Sequence, residues 1–184
     1  MRCFVAIPVS ARLRAAVVRL QDELRRAGAD VRWEKEENFH LTLKYLGEMD
    51  EGQVRAIRAE LLDEAGRRAP FTLEYAGMGA FLDQGLPRVV WIGGSDDVRD
   101  LAAAVELHAE AAGVPREGRP YTAHLTIGRV RSGRNAEALL AAIEERKSVP
   151  IGTDRVESIV LMRSTLNPAG SIYEEVARFP LRSG

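Results

Sequence analysis

A tetrapeptide of the form His-Leu-Thr-aliphatic occurs twice in this chain, at residues 40–43 and again at residues 124–127. The chain has 184 residues and 3 histidines, and two of those histidines lie in the two copies. Ordinary residue usage makes even one such tetrapeptide uncommon in a chain of this length. The duplication therefore predicts a fold in which two related halves each contribute one strand to a shared feature.

Each copy lies in a run that is typical of a β-strand, residues 39–46 and residues 121–130. Successive side chains of a strand point to opposite faces. His40 and Thr42 therefore share one face, and His124 shares a face with Thr126 and Gly128. The alternate positions predict a core-facing side made of Phe39, Leu41, Leu43 and Tyr45 in the first strand and Ala123, Leu125 and Ile127 in the second. Two matching sets of imidazole and hydroxyl groups indicate one shared cleft.

An imidazole beside a hydroxyl is suited to phosphate chemistry. Histidine titrates near neutral pH, so one of the pair can accept a proton while the other, charged, donates one. The hydroxyls of Thr42 and Thr126 can hold the non-bridging oxygens of a phosphate, and this chemistry requires no metal. Cross-strand hydrogen bonding is the structural alternative. A zinc site is a further alternative, but no third ligand accompanies His40 and His124.

Four further residues are candidates for binding substrate. Alternation places Lys44 on the same strand face as His40, so it is either a phosphate ligand or a solvated surface lysine. Arg129 follows the second motif, but alternation places it on the core-facing side, so it reaches the site only where the strand twists or ends. Arg119 and Tyr121 precede the second motif and can line the cleft. Either Tyr121 or Phe4 can stack on a base, although core packing is the default for Phe4.

The rest of the chain alternates helical and extended patterns, which predicts an α+β fold. Ser10 is a predicted N-cap, and Asp50 with Gln53 resembles a capping box. No linker separates the halves, so we expect a single bilobal domain over residues 1–184. The predicted strands are residues 2–9, 31–34, 39–46, 71–75, 79–82, 88–92, 121–130, 156–163 and 172–179, and the predicted helices follow Ser10, Asp50, Ser95 or Asp96, and Asn135.

Composition excludes several classes of protein. The net charge is −1, so there is no global basic field for duplex nucleic acid, although a local basic cleft is compatible with it. The single cysteine, Cys3, excludes an internal disulfide and a cysteine-cluster zinc site, and we expect it to be a buried thiol. His108 is expected at a surface or boundary position. The N-terminus lacks the pattern of a signal peptide and no stretch reaches the length of a membrane span, so we expect a cytoplasmic protein with no membrane partner.

The sequence resembles the two-histidine (2H) phosphoesterase superfamily, and within it the RNA 2′,3′-cyclic phosphodiesterases that were first called 2′-5′ RNA ligases. Two departures are visible: Thr122-Ala123 replaces the usual Arg-Pro before the second histidine, which removes one arginine contact, and Gly128 replaces a common alanine. The resemblance runs nearly end to end and rests on residues 2–7, 31–33, 38–47, 87–91 and 119–130, and on the tail residues Arg163-Ser164, Gly170, Tyr173 and 179–181.

The resemblance implies a bilobal, pseudo-symmetric fold in which two antiparallel sheets face a central cleft and helices lie outside. It implies hydrolysis of 2′,3′-cyclic phosphate ends of RNA, or of cyclic nucleotides, to 2′-phosphates without a metal or other cofactor. It identifies His40, Thr42, His124 and Thr126 as the catalytic set, with His124 as the base and His40 as the acid, an order that the residues alone leave open. Two alternatives remain: a 2′-5′ RNA ligase that runs the same site in reverse, and a non-catalytic RNA- or nucleotide-binding module. We expect a monomer.

Overall fold

A computed structural model describes residues 1–182 of the chain. Helices and antiparallel strands alternate along it, so the α+β class predicted from the sequence is confirmed. None of the described helices is both long and apolar enough to span a membrane. The strands are β1 (Arg2–Pro8), β2 (Val31–Trp33), β3 (His40–Glu48), β4 (Phe71–Asp83), β5 (Leu86–Gly94), β6 (His124–Val130), β7 (Pro150–Val156), β8 (Ser158–Asn167) and β9 (Gly170–Pro180), and the helices are α1 (Ala11–Arg25), α2 (Glu51–Gly66), α3 (Arg99–Ala111) and α4 (Ala136–Glu144).

The strands form two four-stranded halves that meet at β3 and β6. The order is β7-β4-β5-β6-β3-β1-β8-β9, with β2 paired to β6 beside β3. We call β3, β1, β8 and β9 the His40 half, and β6, β5, β4 and β7 the His124 half. Within residues 1–182, β3 and β6 pair at one position, Leu41 opposite Leu125. The two sheets implied by the resemblance are therefore joined along a hydrogen-bonded seam into one continuous sheet.

The helices cover one face of the sheet. Helices α2 and α3 pack on the His40 half, whereas α1 and α4 pack on the His124 half. Since β1 belongs to the His40 half and α1 packs on the His124 half, the chain crosses between the halves just before α1. At this crossing the backbone N–H of Ser10 donates to the buried carboxylate of Asp154 in β7 at 2.8 Å. One apolar core lies under the helices of both halves. The assignment of residues 1–184 to a single domain stays a prediction.

Two helices begin at the N-cap residues that the sequence predicts. The hydroxyl of Ser10 accepts from the backbone N–H of Leu13 at 3.2 Å and caps α1. Asp50 and Gln53 form a reciprocal capping box at α2. Each cap supplies an acceptor to backbone N–H groups that have no partner within the helix.

Three strands differ from the sequence prediction. The region predicted as two strands, residues 71–75 and 79–82, is one strand, β4, that continues through a bulge at Gly77, whose φ is 72°. Strand β7 was missed because Pro150 and Gly152 disfavour a strand, yet an edge strand tolerates them. Strand β6 begins at His124 and not at Tyr121.

Matching β-bulges interrupt the strict alternation of side chains in β3 and β6. On β3, Thr42 lies opposite Ala6 and Lys44 lies opposite Val5, so the residue between them, Leu43, is extra. An extra residue in one strand moves every later side chain to the other face. Lys44 therefore turns to the helix-covered face, contrary to the predicted parity. Tyr45, predicted to face the core, is instead exposed.

Lys44 is a buried structural residue on that face. Its ammonium group donates to a carboxylate oxygen of Glu106 in α3 at 2.8 Å and to the carbonyl of Pro115 at 3.1 Å. Burial alone would raise the pKa of Glu106, but the hydrogen bonds from Lys44 and from the backbone N–H of Glu117 hold that pKa below its usual range. The pair therefore fixes the loop that leads into β6.

Removing the cation of this buried pair should destabilise the fold. In Lys44→Met, the Glu106 carboxylate stays largely buried without its principal hydrogen-bond donor, so the free energy of unfolding should fall by about 1–3 kcal/mol. Urea denaturation followed by circular dichroism measures this change. Arg55→Met, which removes the exposed 3.8 Å pair with Glu51, is the matched control and should leave the midpoint unchanged. Equal midpoints for the two variants would contradict the structural role of Lys44.

Candidate active site

The pairing of Leu41 with Leu125 determines where the two His-x-Thr sets lie. Both leucines are fully buried on the helix-covered face. In an antiparallel pair, the flanking residues on each strand lie opposite one another, so His40 is level with Thr126 and His124 is level with Thr42. All four point to the opposite face of the sheet, which we call the site face. The structure thus brings together the four residues that the sequence predicts as a set.

Backbone carbonyl groups orient both imidazoles in the same way. Nδ1 of His40 lies 3.1 Å from the carbonyl oxygen of Asn38, and Nδ1 of His124 lies 2.7 Å from that of Thr122. A carbonyl oxygen only accepts, so each Nδ1 carries a proton and donates it. In the neutral ring, Nε2 is then the free lone pair. Two rings held by the residue two positions earlier are therefore equivalent acid–base groups.

Aromatic side chains pack against both imidazoles. The ring of Phe81 packs edge-on against His124 with centroids 4.9 Å apart. The rings of Tyr173 and Phe4 pack against His40 at 6.1 and 6.3 Å. Phe4 is itself buried beneath Tyr173, which favours the packing alternative over base stacking for Phe4.

Burial among these neighbours lowers the pKa of both histidines below the ordinary value. Burial is the main cause at each ring, because it penalises the charged imidazolium. The hydrogen bond to the backbone carbonyl opposes the shift in each case, and the positive charge of Arg129 adds to it at His124. Both histidines are therefore predominantly neutral near pH 7 in the ligand-free protein.

Arg129 reaches the site face because of the bulge in β6. Thr126 lies opposite Trp91 and Gly128 lies opposite Val90, so Ile127 is the extra residue. Beyond it, Gly128 turns to the helix-covered face, whereas Arg129 shares the face of Thr126. Strict alternation predicted that Arg129 faces the core and that Gly128 faces the site, and both predictions were wrong.

The other two candidates from the sequence lie differently. Tyr121 packs against the helix-side core, and its hydroxyl donates to the carbonyl of Thr42 at 3.0 Å, so it ties the loop before β6 to β3. Arg119 is exposed in the same loop. His108 was expected at a boundary; it bridges α3 to α2, with its two ring nitrogens each 2.8 Å from a carboxylate oxygen, one of Glu60 and one of Glu64.

Sequence reasoning missed two supporting residues. Glu34, just after β2, lies 3.3 Å from Nε of Arg129. Gln21 of α1 is buried, and its amide donates to the carbonyls of Glu34 at 2.9 Å and Ile127 at 2.8 Å. A glutamine within the apolar stripe of a helix was the available signal, because a buried amide requires partners. No group of three or more His, Cys, Asp or Glu side chains placed to hold a metal occurs within residues 1–182.

Comparison with known proteins identifies the family. The model of the LigT like Phosphoesterase family matches residues 7–91 and 93–173, so each matched segment contains one His-x-Thr set. The RNA 2′,3′-cyclic phosphodiesterase of Methanothermobacter thermautotrophicus is 37% identical over 183 residues, which cover 98% of this chain and 99% of that protein.

Solved structures agree in fold. The structure of TT0787 from Thermus thermophilus superposes with a TM-score of 0.84 at 28% identity, covering 100% of this chain and 99% of that one. The structure of E. coli LigT complexed with NADP+ gives a TM-score of 0.75 at 26% identity, covering 98% and 96% of the two chains. With the paired strands, the family model and these relatives in agreement, the chain belongs to the LigT-like phosphoesterases of the 2H superfamily.

Proposed function

We propose that this protein hydrolyses the 2′,3′-cyclic phosphate at an RNA end, or in a nucleotide, to a 2′-phosphate. The observation that carries the proposal is the pair of equivalent imidazoles, His40 and His124, anchored through Nδ1 and set beside threonines on one face. The name of the M. thermautotrophicus relative supports the same reaction. The NADP+ bound by E. coli LigT supports a nucleotide as the class of ligand.

In the proposed reaction the two histidines move one proton each. Nε2 of neutral His124 accepts a proton from water, and the water oxygen forms a bond to phosphorus. The bond from phosphorus to O3′ breaks, and the departing O3′ takes the proton carried by Nε2 of His40. The products are a 2′-phosphate and a free 3′-hydroxyl, and the two histidines have exchanged protonation states.

The threonines and Arg129 contact the phosphate in this proposal. The hydroxyls of Thr42 and Thr126 donate to the two non-bridging oxygens, where negative charge accumulates in the transition state. Glu34 occupies Nε of Arg129, so the terminal nitrogens of the guanidinium remain available to a phosphate oxygen. Neither Lys44 nor Tyr121 enters the proposal, since both lie on the helix-covered side. The cytoplasmic location and the monomeric state stay predictions.

Loss of either imidazole should abolish most of the turnover. Because each is assigned one proton transfer, His40→Ala and His124→Ala should each reduce kcat by about 10²–10⁴ on 2′,3′-cyclic AMP. The double variant should be little worse than the poorer single variant, because the two residues act as a unit. The assay is run in EDTA, in which the wild-type protein should keep its full rate.

His108→Gln is the matched control, because it removes the third histidine from a helix interface remote from the site face. It should retain the wild-type rate at a temperature where all variants are folded by circular dichroism. Full activity in either alanine variant, or loss of wild-type activity in EDTA, would remove the basis of the proposal.

The rate should follow a bell-shaped pH profile. One imidazole must be neutral and the other protonated, and burial lowers the pKa of both below about 6.5, so the maximum of kcat/KM should lie on the acid side of neutrality. Bound phosphate is anionic and raises the pKa of the acid, so the alkaline limb of kcat should lie at higher pH than that of kcat/KM. A rate that rises steadily between about pH 5 and 9 would instead indicate attack by hydroxide.

The anchored rings also predict a tautomer. In the neutral form, His40 and His124 should both carry the proton on Nδ1, since each Nδ1 faces a carbonyl oxygen. Long-range ¹⁵N–¹H correlation spectra at alkaline pH distinguish the two nitrogens of each ring. His108 serves as an internal reference because both of its nitrogens face carboxylates. A predominant Nε2–H form at either site histidine would contradict the proposed geometry.

A further inference from the structure

A patch of charge on β2 and β6 lies beside the four proposed catalytic residues. Arg32 is directly opposite Arg129 in the antiparallel pairing of β2 with β6. Glu34 lies two positions beyond Arg32, on the same side, and contacts Arg129. We call Arg32, Arg129 and Glu34 the Arg32 patch.

The Arg32 patch has an excess of positive charge. Two guanidinium groups face one carboxylate, and like charges directly opposite each other on neighbouring strands are destabilising. Within residues 1–182, Arg32 has no ion pair and no side-chain hydrogen bond, whereas Nε of Arg131, just after β6, lies 3.2 Å from a carboxylate oxygen of Asp30. Arg32 is exposed and available to an external anion.

Along β6, Arg32 is level with Arg129 and His40 is level with Thr126, so Arg32 and His40 are three residues, or about 10 Å, apart along the strand. Strand β6 pairs with β5 along one edge, so β3 and β2 occupy its other edge in succession. Arg32 therefore lies on the same side of β6 as His40, one strand of about 4.8 Å beyond Arg129. The pKa of Tyr173, which packs against His40, is raised by burial and by Glu34 and is lowered by Arg129 and Arg32. These charges thus lie near the hydroxyl of Tyr173, which packs against His40.

We propose that Arg32 binds the phosphodiester that precedes the terminal nucleotide, and that this residue thereby distinguishes an RNA strand from a free cyclic mononucleotide. This inference rests on the proposed function. The reacting phosphate lies between the imidazoles, and the nearest additional anion of an RNA strand is the phosphate one nucleotide away. A guanidinium group provides the planar, bidentate donors that a phosphodiester accepts.

The test compares two substrates that differ by one phosphodiester: 2′,3′-cyclic AMP and the dinucleotide ApA ending in a 2′,3′-cyclic phosphate. The wild-type protein should have the higher kcat/KM on the dinucleotide. Arg32→Gln should reduce the ratio of dinucleotide to mononucleotide kcat/KM about 10-fold or more, as expected for one charge-assisted contact. The salt dependence of KM for the dinucleotide should fall by roughly 0.7 to 1 in its logarithmic slope.

Arg58→Gln is the matched control, because it removes an exposed arginine from α2 on the helix-covered side. It should leave the ratio unchanged. Equal losses on both substrates in Arg32→Gln would place Arg32 at the reacting phosphate or in folding, and an unchanged ratio would show that it binds no phosphate; either result overturns the inference.

Binding of products separates this inference from the proposed function. Isothermal titration with ApA ending in a 2′-phosphate and with adenosine 2′-monophosphate measures the same ratio without turnover. Arg32→Gln should lower the affinity for the dinucleotide product selectively, even if the wild-type protein hydrolysed neither substrate. Loss of hydrolysis with retained selectivity would refute the proposed function alone, whereas equal affinities in wild type and variant would refute the inference alone.

Discussion

The pairing of Leu41 with Leu125 is the contact on which the site depends. It joins the two halves of the sheet, and it does so with two side chains that are fully buried beneath the helices. Once these leucines face the core, the alternation of a strand sends their neighbours on both sides to the opposite face. A slip of either strand by one residue would bury its imidazole and its threonine and would expose its leucine. The apolar face of each motif thus determines the geometry of its polar face.

The two bulges explain how one repeated motif produces an asymmetric site. In β3 the residue after the bulged Leu43 is Lys44, which turns to the helices and forms an ion pair with Glu106. In β6 the corresponding position is Gly128, and the small residue accommodates the ring of Trp33, which a Cβ would approach to about 3 Å. The next residue, Arg129, then returns to the site face. The bulge in β3 therefore turns Lys44 away from the site face, whereas the bulge in β6 brings Arg129 onto it.

The sequence predicted those features that depend on local periodicity. The duplicated His-x-Thr sets, the strand faces up to the bulges and the caps at Ser10 and Asp50 follow from alternation and from local hydrogen bonding. The positions of Lys44 and Arg129 did not follow, because a bulge is specified by the register with β1 and β5 and leaves no pattern within the strand itself.

Other parts of the site were beyond prediction because they depend on distant segments. Tyr121 was expected to line the cleft, but its hydroxyl donates to the carbonyl of Thr42, which lies 79 positions earlier in the chain. The contact of Glu34 with Arg129 arises only when β2 pairs with β6. Aromatic residues beside the histidines, such as Phe81, come from strands whose order along the sheet the sequence does not reveal. Long-range pairing, and not residue type, decided each of these cases.

The charges near the two imidazoles differ, although backbone carbonyl groups hold the two rings alike. At His124 the neighbouring charge is that of Arg129, which disfavours the imidazolium form and therefore suits a residue that begins the reaction as a neutral base. At His40 the positive charges of Arg14 and Arg178 are opposed by the carboxylate of Glu175. Arg129 is itself paired with Glu34, so neither ring lies near arginines alone. Because the rings share the same anchoring and similar burial, and each lies near charges of both signs, the order with His124 as the base and His40 as the acid stays a prediction from the family resemblance.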